Sequence, residues 1–200
     1  MRDWPARSFV GGNCVLDFLN TAGGDTKARD LERLESFEDV LAWARAADVI
    51  NGGEYEDLRG FATASANDAN QRMHELRIQR ERLYNYVTAS MDERPLSESD
   101  RLGVEGGMRE AFEHARLTAS ETQLFKWQVE LKSVGLSLIK HRLDLAASAL
   151  LTGPSSRHIR QCRTCSWLFL DASASKRRRW CSMALCGNRA KAQRHYNRGR

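Results

Sequence analysis

Nowhere in the 200 residues do about 18 apolar residues run together, the length that a membrane-crossing helix needs. The start, Met1-Arg2-Asp3-Trp4-Pro5, has no apolar run of the kind a secretory signal carries. The expectation is therefore a cytoplasmic chain in a reducing compartment, with no membrane partner. Internal repeats and low-complexity tracts are missing. So are a phosphate-binding glycine loop, the metal-binding helix motif of metalloproteases and a serine nucleophile elbow. An acid–base pair of Asp17 and His141 would need the fold to bring the two together, so no catalytic residue is assigned and an enzyme is not expected. Acidic residues are scarce in one stretch only: residues 157–200 hold a single acid, Asp171.

That scarcity splits the charge. Residues 157–200 hold 12 Lys/Arg against one acid, net +11, and residues 1–156 hold 19 basic and 25 acidic side chains, net −6. The formal total of +5 describes neither part. A strongly basic end on a mildly acidic body points to a polyanionic partner, most often nucleic acid. With 42% hydrophobic and 28% charged residues, the chain is otherwise an ordinary globular one.

Periodicity predicts a helical body. A short helix is expected at 14–20, after Gly11-Gly12 and before Gly23-Gly24. Ser36 and Asp39 form a capping-box pattern ahead of Phe37, Val40, Leu41 and Ala44 at helical spacing, with Asn51-Gly52-Gly53 closing that helix. Further helices are expected at 54–65, at 67–91 with many arginines outward, and from Ser97 onward. Between 115 and 129 the period changes to two, which predicts a hairpin turning near Ser120-Glu121. Helical spacing returns from Leu131 to Ala149, with His141 an interior side chain and His74 and His114 on the surface. Gly153-Pro154-Ser155-Ser156 is the best boundary. The expected architecture is a mainly α body with a small β-hairpin over 1–153, then a treble-clef-like module over 157–200.

The module carries Cys162-x2-Cys165-x15-Cys181-x4-Cys186. Four thiolates at such spacings suit a tetrahedral Zn²⁺ and leave no open position for a catalytic water, so the metal is expected to be structural. The module has few apolar residues, and a small domain of that kind commonly needs a metal to fold. Chelation is expected to unfold this end and leave the helical body folded. Around the cysteines lie Lys176, Arg177, Arg178 and Arg179, and then Asn188, Arg189, Lys191, Arg194 and Arg198 on a helix that lacks a broad apolar stripe. Such a helix suits the phosphates and major groove of double-stranded DNA, with Asn188, Gln193 and Asn197 as candidate base readers. Arg178 and Arg179, beside Trp180, have a packing role as the alternative.

Arg179-Trp180-Cys181-Ser182-Met183 followed by Cys186-Gly187-Asn188-Arg189, after Cys162-x2-Cys165 and Phe169-Leu170-Asp171, resembles the CGNR zinc finger. Gly11-Gly12, Leu16-Asp17, Asn20-Thr21 and Leu41-x-Trp43-Ala44 resemble, in order, the ABATE domain that precedes that finger. The resemblance implies a stress-responsive bacterial transcription regulator, with an N-terminal domain that senses a small-molecule effector. If the body does so, Asn13, Asp17, Asn20 and Thr21 are the first candidate lining, with capping and turn formation as the alternative role. Cys14 reads as a small apolar side chain rather than a nucleophile. A single finger has a small footprint, so a homodimer is plausible. An RNA-binding or ribosome-associated zinc protein is the main alternative.

Overall fold

Polar side chains start the helices by accepting backbone amides that have no helical partner. The computed structural model, which describes residues 3–120 and 124–198, shows this from the first helix. Asn13 Oδ1 accepts Val15 N at 2.9 Å and opens α1, Cys14–Leu19. Ser36 and Asp39 close a reciprocal capping box on α2, Phe37–Ala46. Asn51 and Glu54 make a second box on α3, Gly52–Ala64. Asn51 thus starts a helix, where the sequence pattern suggested only that it ended one.

Helix α4, Ala66–Met91, crosses the molecule and buries Met73, Leu76, Leu83 and Val87. It also buries Arg80 and leaves Arg72, Arg77 and Arg82 half-buried, so its arginines are less outward than expected. Helix α5, Glu98–Glu113, is capped by Ser97 and packs on α4 and on α7, Leu138–Thr152. The helical spacing expected to run unbroken from Leu131 is interrupted. A four-residue α6, Leu131–Val134, ends at Gly135, whose φ of +52° breaks the helical path before α7 begins. Strands β1, Arg116–Ala119, and β2, Phe125–Gln128, form an antiparallel hairpin with Thr118 opposite Lys126. Glu121, in its expected turn, lies outside the described residues. The body's core gathers around Phe18 and Trp43, whose rings stand 5.4 Å apart, with Leu16, Leu41, Leu76 and Ile139.

After a 3₁₀ turn at Pro154–His158, strands β3, Ile159–Gln161, and β4, Leu168–Leu170, pair antiparallel. Residues 162–167 form the turn between them, so the first two cysteines sit at the tip of a hairpin. A π-helical turn, Met183–Gly187, leads into α8, Asn188–Arg198.

Candidate metal centre and nucleic-acid interface

Four buried sulfurs meet in the C-terminal module. Those of Cys162, Cys165, Cys181 and Cys186 all lie within 4.8 Å of one another. The separations are 3.8 Å for Cys165–Cys181 and 3.6 Å for both Cys181–Cys186 and Cys186–Cys165. A tetrahedron with zinc–sulfur bonds of about 2.3 Å has edges of about 3.8 Å, so the four donors fit Zn²⁺ in number, softness and spacing. Left to themselves the thiols compete for charge. Hydrogen bonds from Cys165 and Cys181 hold Cys162 far below the ordinary thiol range, and Cys162 in turn pushes Cys165 up to about 12 and Cys181 higher still. A dication relieves that competition by stabilising all four thiolates together.

Local structure aims the donors. Cys162 N donates to Trp167 O at 2.9 Å and closes the knuckle. Arg163 N donates to Arg179 O at 3.0 Å and ties the knuckle to the segment that delivers Cys181. Ser182 Oγ accepts Leu185 N, and Gly187 N donates to Ser182 O, so Cys186 is held in the turn just ahead of α8. The module's one acid organises the loop between. Asp171 accepts Ser173 Oγ at 2.6 Å, Ser173 N at 3.1 Å and Arg178 N at 2.9 Å. The Ser173 hydroxyl, followed by these amides, holds its carboxyl below the usual carboxylate range.

The basic run is not uniform. Arg178 lies 4.3 Å over the Phe169 ring and donates to the carbonyls of Trp180, Cys181 and Val10, so it packs the metal knot. Lys176 Nζ donates to Asp171 O. Arg189 reaches back to Asp25, and Arg194 Nε donates to Ala190 O one turn earlier. Gln193 is paired with Asn197 at 3.0 Å, and Asn188 Nδ2 donates to Ala184 O at 3.4 Å. Arg177, Arg179 and Lys191 stand exposed, with no carboxylate partner among the described residues. Arg198 lies at the end of α8 and its side chain is outside the described residues.

The module is joined to the body through the segment that carries Asn13, Asp17, Asn20 and Thr21. Asn13 caps α1, and Asp17 Oδ1 accepts Gly11 N at 2.7 Å. Burial pushes the Asp17 carboxyl up to about 6, with that amide working in the opposite direction. The Asn20 side chain exchanges two 2.8 Å hydrogen bonds with the backbone of Leu168. Thr21 Oγ1 donates to Phe18 O and accepts Arg80 Nη1. All four side chains are thus engaged inside the chain, at or near the seam with the module.

The loop after them cradles the knuckle. Ser166 N donates to Thr26 O at 2.8 Å, Trp167 Nε1 to Ala22 O at 3.2 Å, and Gly24 N to Ser166 Oγ at 3.2 Å. Gly23 and Gly24 have φ of +68° and +110°, and a Cβ would stand 2.2 Å from Ser166 Oγ at the first and 2.5 Å from the Trp167 ring at the second. Tyr84 of α4 donates to Ser166 O at 2.7 Å and accepts Gln161 Nε2 at 2.8 Å, with Arg29 stacked 3.7 Å over its ring. Behind the cradle, Arg80 grips Glu32 through both terminal nitrogens, at 2.8 and 2.6 Å. Burial acts to raise the Glu32 carboxyl, but Arg80 offsets it and leaves Glu32 below its ordinary value. Sequence spacing missed this whole seam, because its partners lie from 48 to 148 residues apart.

His141 is buried, as expected. Its ring lies 5.0 Å from that of the exposed His114, and its Nδ1 has no hydrogen-bond partner among the described residues. No helix is long and apolar enough to cross a membrane among the described residues.

Comparison with known families agrees with both parts. Residues 158–199 match the CGNR zinc finger, and residues 12–154 match the ABATE family, described as "putative stress-induced transcription regulator". No curated protein matches. The four-cysteine zinc finger and the helical body that holds it are those of a member of the ABATE family, and the chain belongs to it.

Proposed function

We propose that this protein is a transcription regulator of the cytoplasm that binds double-stranded DNA through the finger and carries a ligand-responsive body. The observation that supports it best is the pairing of a rigid knot with unspent charge. Helix α8 starts directly after Cys186, presents Lys191 and Arg194 to solvent, and lies in the same module as the exposed Arg177 and Arg179. Cations held on a metal-stapled frame attract phosphates without a large ordering cost, and a single helix fits the major groove. Arg189, held by Asp25, and Lys176, held by Asp171 O, border the same surface. One such helix covers a short site, so two copies on one duplex complete the proposal. Metal-bound thiolates of this kind persist in a reducing compartment. The family's regulator description points to binding rather than catalysis.

Selection of bound fragments from random duplex DNA by the zinc-loaded chain tests this role. The selected duplex is then compared with single-stranded RNA in one salt series. Enrichment of a shared duplex sequence is expected. Equal or tighter binding to single-stranded RNA would assign the finger to RNA instead.

A further inference from the structure

One hollow of the body lies away from the zinc seam. It is a cavity of about 810 Å³ between the β1–β2 hairpin, the α2–α3 corner and α7. Small-molecule sites commonly measure about 300–1,000 Å³, and this one is lined by polar and apolar groups in about equal measure. Three aromatic rings, Phe112, Phe125 and Trp127, line one wall. Phe112 and Trp127 meet edge to face at 5.5 Å, which presents the indole at a fixed angle. Trp127 is nonetheless 52% exposed and Phe125 51%. A hairpin of two short strands gains little stability of its own, and apolar surface left open on it favours an occupant.

Charge narrows the chemistry of that occupant. Arg45, Lys126 and Arg142 line the cavity against Asp48 and Glu54, three basic groups to two acidic, in a body whose net charge is −6. Arg142 is consumed: it pairs with Glu54 at 2.6 and 2.8 Å and donates to the carbonyls of Val49 and Val129. It therefore forms a rigid floor. Arg45 has only a loose 3.6 Å contact with Asp48, and both are well exposed. Exposed pairs of this kind contribute little, so Arg45 can turn to an anion at small cost.

We infer that this cleft binds a small aromatic acid, its ring against Trp127 and Phe112 and its anionic group toward Arg45. The inference rests on the proposal that the body responds to a ligand, and it names that ligand's class and place.

Calorimetric titration of the zinc-loaded full chain with 2-naphthoate, and with neutral 2-naphthol, tests it. One naphthoate per chain is expected, with naphthol about tenfold weaker. Trp127→Ala should weaken naphthoate by about tenfold or more, the usual weight of a central aromatic contact. Arg45→Gln should close the gap between the two probes. Leu117→Ala, on the neighbouring strand, provides a second lesion should Trp127→Ala unfold the hairpin. Naphthoate binding that ignores Trp127 and Leu117, or a hairpin covered by a second copy in sedimentation, would overturn the site. Naphthoate bound at the cleft with duplex affinity unchanged would keep the site and discard the ligand-responsive role.

Discussion

Asn20 and Leu168 face each other across the seam between body and finger, and the amide of one serves as a strand partner for the other. Asn20 Nδ2 donates to Leu168 O and Leu168 N donates to Asn20 Oδ1, each at 2.8 Å, with both residues buried. An asparagine side chain offers the same donor–acceptor pair as a peptide group, so α1 completes the edge of β4 without being a strand itself. Asn20→Ala leaves a buried amide and a buried carbonyl without partners, at about 1–3 kcal/mol. Asn13→Ala, which removes only a helix cap, should cost about 1 kcal/mol. Urea unfolding of the two zinc-loaded variants checks the order, and equal losses would remove Asn20 from its special place.

Zinc removal should reach further than the finger. Trp167, Ser166 and Leu168 are held by the knuckle and are also the residues that dock on Ala22, Thr26 and Asn20. Loss of the metal releases both sets of contacts. The expectation from sequence, an unfolded end on an unaffected body, is therefore revised. Chelation should abolish α8 and β3–β4, and should also lower the thermal midpoint of the helical body by several degrees, the shift that about 1–2 kcal/mol produces in a chain of this size. Thermal circular dichroism with and without chelator measures this. A body midpoint that does not move would show the seam to be energetically idle.

Members of the basic run should respond differently to the same substitution. Arg178→Ala removes the stacking on Phe169 and the carbonyl contacts around Cys181, so zinc should be lost more readily to a competing chelator. Arg177→Ala should leave zinc retention unchanged. Equal zinc loss in the two variants would contradict the assignment of Arg178 to packing.

Acid should weaken the fold through His141. Burial, followed by the charge of Lys140, pushes its pKa down from 6.5 to about 4. The unfolded chain then binds more protons between those values, so the stabilising effect is complete above pH 6.5 and is lost as pH falls toward 4. The difference between the native chain and His141→Leu isolates this from zinc loss at low pH. That difference should change by about 2 kcal/mol between pH 7 and 4.5. A difference that stays constant with pH would place the proton elsewhere.

Much of this molecule is legible locally. The Ser36–Asp39 box and the buried face of α4 follow from spacing within one turn, and the four cysteines from metal chemistry. What is not legible depends on contact at a distance. The Gly23-Gly24 pair looks like an ordinary turn until Ser166 and Trp167 come to rest on it. Asn20 and Thr21 read in sequence as either ligand-facing or turn-forming polar groups, because their partners Leu168 and Arg80 lie far along the chain. The break at Gly135 escapes a periodicity that counts apolar residues and ignores backbone sign. For Arg178 and Arg179 the sequence leaves phosphate contact and packing beside Trp180 both open, and the fold turns Arg178 inward toward the metal knot.

The most direct test of the central claim is the salt dependence of duplex affinity for the zinc-loaded chain and its Arg177→Gln, Arg179→Gln, Lys191→Gln variant. Each phosphate contact contributes about 0.9 to the slope of log affinity against log salt. The variant should retain zinc, bind more weakly, and lose about 2–3 from that slope. A zinc-loaded variant with the native affinity and the native slope would contradict the claim that these exposed cations form the DNA-binding surface.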